Sequence, residues 1–258
     1  MGILNIFNKK KEKNSNVTDI RLGFVLLDSK DIDWNMFIKN LANDWSICIS
    51  EKPTENGQLV FEVDGMMVAC GFVETVIPND EAVNNAKNNF LWKEAVQVTK
   101  LHKAHIMLTI MHGDSAINKS LIFTKIASSL LKLNNAIALY QWPTVYQPDF
   151  YIKTAEDINE GALPILDWVY FGVYPDGDKF SGYTVGLDYF GKDEIEVIKS
   201  KESPDELYVF LIDIADYIIT TNVTLKHGET IGFTEEQKLK IIRSKGIAVE
   251  KESIKIGF

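Results

Sequence analysis

The stretch QLVFEVDGMMVACGFV, Gln58–Val73, decides the fold class. Two strand-like runs, Gln58–Val63 and Met66–Val73, meet at Asp64-Gly65, a pair that tolerates the positive φ of a tight hairpin turn. Strands joined this closely pair antiparallel, because a parallel crossover needs about a dozen residues or more. Upstream, Leu22–Leu27 is a short apolar run bounded by polar residues, the pattern of a strand buried on both faces. Asp31 or Asp33 caps the helix that follows, where Trp34, Phe37, Ile38, Leu41 and Trp45 share one apolar stripe, and Ile47–Ser50 reads as a further strand. Beyond Pro78, Asn79 or Asp80 caps a long helix to about Leu101; Ala104–Met111 then reads as a strand, Lys119–Leu133 as a helix and Ala136–Tyr140 as a strand. Pro143 and Pro148 mark a loop before a helix near Phe150–Ile158.

A second section begins after Pro164. Asp167–Tyr174 and Gly182–Tyr189 form a hairpin through Pro175-Asp176-Gly177, where proline fixes φ and glycine accepts the left-handed position. Glu194–Ile198 continues the sheet. Ser203-Pro204-Asp205-Glu206 is a capping box with proline at the first helical position, and Leu207, Phe210, Leu211, Ile214 and Ile218 supply that helix's apolar face. Short strands including Ile254–Phe258 close the chain. The expected fold is α+β: two intimately packed mixed α/β halves, each a mainly antiparallel sheet covered by helices. Their expected spans are 19–150 and 151–258, with the boundary near 145–165, after a basic flexible tail over residues 1–18.

The 258 residues are 46% hydrophobic and 24% charged, a globular composition. Cys48 and Cys70 lie in apolar stretches without metal-ligand spacing and read as buried thiols. No run approaches the roughly 20 apolar residues of a bilayer span, and no signal-peptide pattern is legible, so the expected location is the cytoplasm. Residues 1–13 pair Ile3, Leu4, Ile6 and Phe7 with lysines, a pattern open to weak membrane contact. The net charge is −9 although the first 16 residues carry +3, and an acidic body repels phosphate backbones, which excludes nucleic acid as a partner.

The run Gly186-Leu187, Phe190-Gly191 and Glu194-Ile195-Glu196-Val197, with Ala104-His105-Ile106 before it and Gly228-Glu229-Thr230-Ile231-Gly232 after it, resembles the bacterial family catalogued as domain of unknown function 4261. The resemblance spans roughly residues 20–257. It implies a cytoplasmic bacterial protein of α+β type, linked to toxin–immunity and secretion gene neighbourhoods, and it supplies no activity, cofactor or catalytic residue.

The chemistry-bearing residues form few constellations. Of His102, His105, His112 and His227 none sits in a metalloprotease motif; His105 with Glu194 and Glu196, which alternate along one strand, is the alternative polar cleft of an enzyme or small-ligand binder. Thr184 falls in a G-x-T-x-G outline, Gly182–Gly186, but no helix follows it, so a nucleophile elbow is not expected. Phosphate-binding motifs are absent, and Asp176 and Asp178 open a calcium-loop pattern that Ser181 and Leu187 break. No catalytic residue, metal or cofactor is therefore expected. What stands out is residues 149–222, with 16 acidic side chains against 5 lysines, a net −11, and eight rings between Trp168 and Phe190, some of which should be exposed. Tyr170, Tyr174, Asp176, Asp178, Tyr183 and Asp188 are the candidate contacts of a basic protein partner, and the sharper expectation is a non-catalytic immunity protein that occludes a cationic toxin domain.

Overall fold

The computed structural model describes residues 20–232, 234 and 237–258. The basic tail over residues 1–18, and the membrane contact read from residues 1–13, lie outside the described residues. Two six-stranded sheets carry the fold. The first is built from β1 (Ile20–Leu27), β2 (Gln58–Val63), β3 (Met66–Val73), β4 (Ala104–Met111), β5 (Ala136–Gln141) and β6 (Thr144–Tyr146), in the order β2-β3-β4-β1-β5-β6, every neighbouring pair antiparallel. The Asp64-Gly65 hairpin is present, with φ +51° and +74° at its two turn residues. Alternation then sorts the side chains. Val25, Leu27, Leu59, Phe61, Val68, Cys70, Ile106 and Leu108 face one side, where α1 (Trp34–Trp45, capped by Asp33) and α4 (Ala116–Leu131, capped by Ser115) cover them.

The opposite side of this sheet meets α2 (Glu81–Ala86) and α3 (Ala95–Thr99), which pack on Leu26, Ala138, Tyr140 and Val145. Here the single helix expected to run to Leu101 is two short ones. Between them Asn88 and Asn89 turn their side-chain amides onto the backbone oxygens of Pro143 and Val145, both at 2.7 Å, and asparagines that bond distant backbone do not propagate a helix. Ile47–Ser50 is not a strand either; Ile47 and Ile49 pack irregularly against the first core. In the same segment Cys48 is exposed, whereas Cys70, a residue of β3, is buried in the first core, so only one of the two thiols is sequestered.

The second sheet comprises β7 (Tyr170–Asp176), β8 (Lys179–Val185), β9 (Glu194–Ser200), β10 (Thr230–Ile231), β11 (Leu239–Lys245) and β12 (Glu252–Ile256), in the order β10-β11-β12-β9-β8-β7, antiparallel except for β9 with β12. It is preceded by α5 (Pro148–Ala155) and the short α6 (Ile165–Trp168). The capping box forms as read, with Ser203 and Glu206 exchanging side-chain-to-backbone bonds, and starts α7 (Pro204–Thr220), whose Leu207, Phe210, Leu211, Ile214 and Ile218 are buried on one face of the sheet. Where the two sheets meet, Arg21 of β1 lies buried between the Phe123 and Tyr189 rings and donates from Nη2 to the Trp168 carbonyl at 3.3 Å, while the Trp168 indole N–H donates to Thr124 Oγ1 at 2.9 Å.

Candidate functional site

Tyr170, Gly172 and Tyr174 alternate along β7 and point away from α7, because the intervening Phe171 belongs to the core beneath that helix. Tyr183 of β8 is registered opposite Gly172, and its ring lies across the glycine at edge-to-face distances of 5.9 Å from Tyr170 and 6.1 Å from Tyr174. A Cβ at Gly172 would come within 2.4 Å of the Tyr183 ring, so the glycine makes the three-tyrosine row possible. All three rings are half-buried. Asp176 accepts from Ser181 Oγ at 2.8 Å, and Asp178 stands exposed at the hairpin tip.

Beside the row, β9 carries Glu194 and Glu196 on the same face, and both are buried. Glu194 accepts from Thr184 Oγ1 at 2.7 Å and from the backbone N–H groups of Gly186 and Asp188 at 2.7 and 3.2 Å. Burial nevertheless prevails over those bonds and raises its carboxyl above the ordinary range. At Glu196 burial also pushes upward, but bonds from Ser253 Oγ, the N–H groups of Ala248 and Ile247, and the Lys255 ammonium outweigh it and bring the carboxyl below the ordinary range. Each glutamate thus pins a loop. Glu194 fixes the turn at Gly186, held at φ +124°, that delivers Asp188; Glu196 fixes the β11–β12 loop that delivers Glu250 and Lys251.

Those two loops and the β5–β6 turn enclose a cleft of about 370 Å³ lined by Trp142, Tyr183, Asp188, Glu194, Glu250 and Lys251, among others. Trp142, which precedes a cis proline, is 67% exposed at its rim. Within the cleft Lys251 Nζ pairs with Asp188 Oδ2 at 2.8 Å, and that bond and charge raise the lysine's pKa. The cleft thus sets the exposed Glu250 carboxylate and the Asp188–Lys251 pair beside an indole and a phenol ring, with the buried Glu194 bonded into its own turn.

The structure thus gathers Tyr170, Tyr174 and Tyr183 into one row and brings Tyr183, Asp188 and Glu194 into one cleft, with Asp176 and Asp178 at the end of the hairpin. His105 has other neighbours: its Nδ1 meets the Thr75 carbonyl at 2.8 Å and its ring packs edge-on against Phe24 in the first sheet, where burial lowers its pKa. Among the described residues no group of three His, Cys, Asp or Glu could hold a metal ion. Of the eight rings between Trp168 and Phe190, Trp168, Phe171 and Tyr189 are buried and the rest half-buried, so none stands out fully from the surface as expected; α7 covers one face of the hairpin, and on the other the tyrosines pack on one another while Tyr170 bonds the Asn88 carbonyl. The acidic surplus is also divided: Asp205, Glu206, Asp213 and Asp216 lie exposed along α7, whereas Asp167 and Glu196 are buried. Trp142 was not singled out by sequence; an aromatic preceding proline in a strand-to-strand loop was the available signal.

No helix among the described residues is long and apolar enough to cross a membrane. Comparison with curated proteins gives no match, and comparison with solved structures gives none. The family model described as Domain of unknown function (DUF4261) matches residues 183–257, the segment that runs from Tyr183 through both pinning glutamates to the end of β12 and leaves Ala104-His105-Ile106 outside it.

Proposed function

We propose that this chain is a non-catalytic binding protein of the cytoplasm whose cleft receives a cationic side chain from a basic protein partner, with occlusion of a cationic toxin domain as the specific role. The observation that carries this reading is the pairing of an exposed indole, Trp142, with a cleft whose ionisable groups are Asp188, Glu194, Glu250 and one lysine already bound to Asp188. An aromatic face attracts a cation by about 0.5–2 kcal/mol, and nearby carboxylates raise the rate at which a basic surface arrives. The hairpin tip adds the exposed Asp178 at the end of the tyrosine row, while Asp176 lies 4.0 Å from the Lys199 ammonium and opposite Lys179.

The test is calorimetric titration with candidate basic toxin domains. Binding that weakens at least ten-fold, about 1.4 kcal/mol, in Trp142→Ala and in Asp188→Asn with Glu250→Gln supports the reading. Absence of binding and of protection, or full affinity in these variants and in altered Tyr174, Asp176 and Asp178, refutes it. A second reading, a small-ligand site, is favoured by the cleft's volume, which lies within the range of ligand pockets; saturable binding of a small organic cation with no effect of basic proteins would select it.

A further inference from the structure

On the other side of the β5–β6 turn, the irregular segment 87–94 faces β7 and α7 across a pocket of about 80 Å³. Its wall is ring upon ring: Phe90, Trp92, Phe150, Phe171, Tyr146 and Tyr208 all line it, and none of its lining residues carries a charge. Phe90 and Phe171 each meet the Tyr208 ring edge-to-face, at 5.4 and 5.9 Å. The rim is fixed although it lacks regular structure. Asn88 and Asn89 donate to Pro143 O and Val145 O, and Asn89 Oδ1 accepts the N–H groups of Leu91 and Trp92 at 3.0 and 2.9 Å.

Against this satisfied rim, Tyr146 and Tyr208 bring two phenol groups to the pocket's lining. Tyr146 is only 7% exposed, yet neither its hydroxyl nor that of Tyr208 makes a hydrogen bond among the described residues. A phenol hydroxyl without a protein partner that lines an open pocket is free to donate to an acceptor carried by a ligand. Burial raises both phenols, Tyr208 to about 12, so each remains an O–H donor at neutral pH and asks for an acceptor.

We propose that this pocket is a binding site for a small, uncharged, planar ring compound that carries a hydrogen-bond acceptor. The absence of charged lining excludes ions, since an ionised ligand entering it would lose its hydration with no countercharge in return. The flat aromatic walls favour a planar ring over a saturated one. The volume is about half of the roughly 150 Å³ of a closed apolar cavity that holds benzene, so the pocket encloses one edge of a ring and the remainder lies at the mouth beside Phe90, which is 48% exposed. This site is separate from the acidic cleft, and its existence does not depend on the proposed partner.

The experiment is ligand-observed NMR on the intact chain with benzamide, benzoate and cyclohexanecarboxamide as probes. Benzamide should bind saturably, the other two at least ten-fold more weakly. Tyr208→Phe, at a half-buried position where folding is not at stake, should weaken benzamide about five-fold and leave toluene unchanged, the effect of one hydrogen bond; Tyr146→Phe should do the same. Phe90→Ala should weaken benzamide and toluene alike. Benzoate binding as well as benzamide, no saturable benzamide binding, or Tyr→Phe variants without effect on benzamide would each overturn the assignment.

Discussion

Asp167 lies between Leu166 and Trp168 at the seam of the two sheets, fully buried, with neither carboxyl oxygen hydrogen-bonded among the described residues. Burial raises its pKa far above that of an ordinary aspartate, Asp157 adds to the rise, and Arg21 opposes it. The folded chain therefore keeps a proton that the unfolded chain releases near the ordinary value of about 4, and stability falls as pH rises above that value. Asp167→Asn holds no titrating proton: its melting temperature should exceed the parent's at about pH 8 and converge with it toward about pH 4. Melts of both proteins across that range that stayed parallel would contradict this account. The sequence did not mark Asp167, because a carboxylate in an acidic stretch looks solvated until tertiary packing seals it. Tyr170 and Tyr183, by contrast, were legible as a group from strand alternation, while their half-burial was not, since the cover comes from residues far along the chain, such as Asn88, whose carbonyl accepts from Tyr170 Oη at 3.1 Å.

The strand β9 shows how two identical side chains two residues apart do different electrostatic work. Glu196 gains its bonds only in the folded state and its carboxyl is lowered, so its contribution is present above about pH 4.3 and is lost as pH falls through its depressed value. Glu196→Gln should cost about 1–3 kcal/mol and speed hydrogen exchange selectively at the Ile247 and Ala248 amides; uniform exchange across the chain would argue against loop pinning. Lys251→Ala frees Asp188 from an exposed ion pair that is cheap to break, and should therefore tighten binding of a basic partner about two- to five-fold, read by calorimetry. Ser203→Ala should cost about 1 kcal/mol in denaturant unfolding. The α7 start was legible because a capping box is contained within four residues. The break between α2 and α3 was not, because its cause is asparagine bonding to a turn 55 or 56 residues away.

Across the whole molecule, the hairpins and the interleaved helices made an α+β reading available, but strand order was not: β1 inserts between β4 and β5, and β12 joins β9 in parallel. Neither pairing leaves a local pattern. The two sheets communicate through buried polar contacts as well as apolar ones, so Thr124→Val, which strands the Trp168 indole N–H, should destabilise by about 1–3 kcal/mol and broaden the fluorescence-detected unfolding transition; a shift without broadening would mean that the seam does not couple the two cores. The contrast between the sulfur atoms gives a clock for such experiments. Cys48 lies at the surface while Cys70 of β3 is sealed in the first core with its thiol strongly disfavoured from ionising, so a colourimetric thiol reagent should react promptly with one equivalent and wait for the first sheet to open before consuming the second. The lag before that second equivalent is a direct chemical readout of how often this half of the chain breathes.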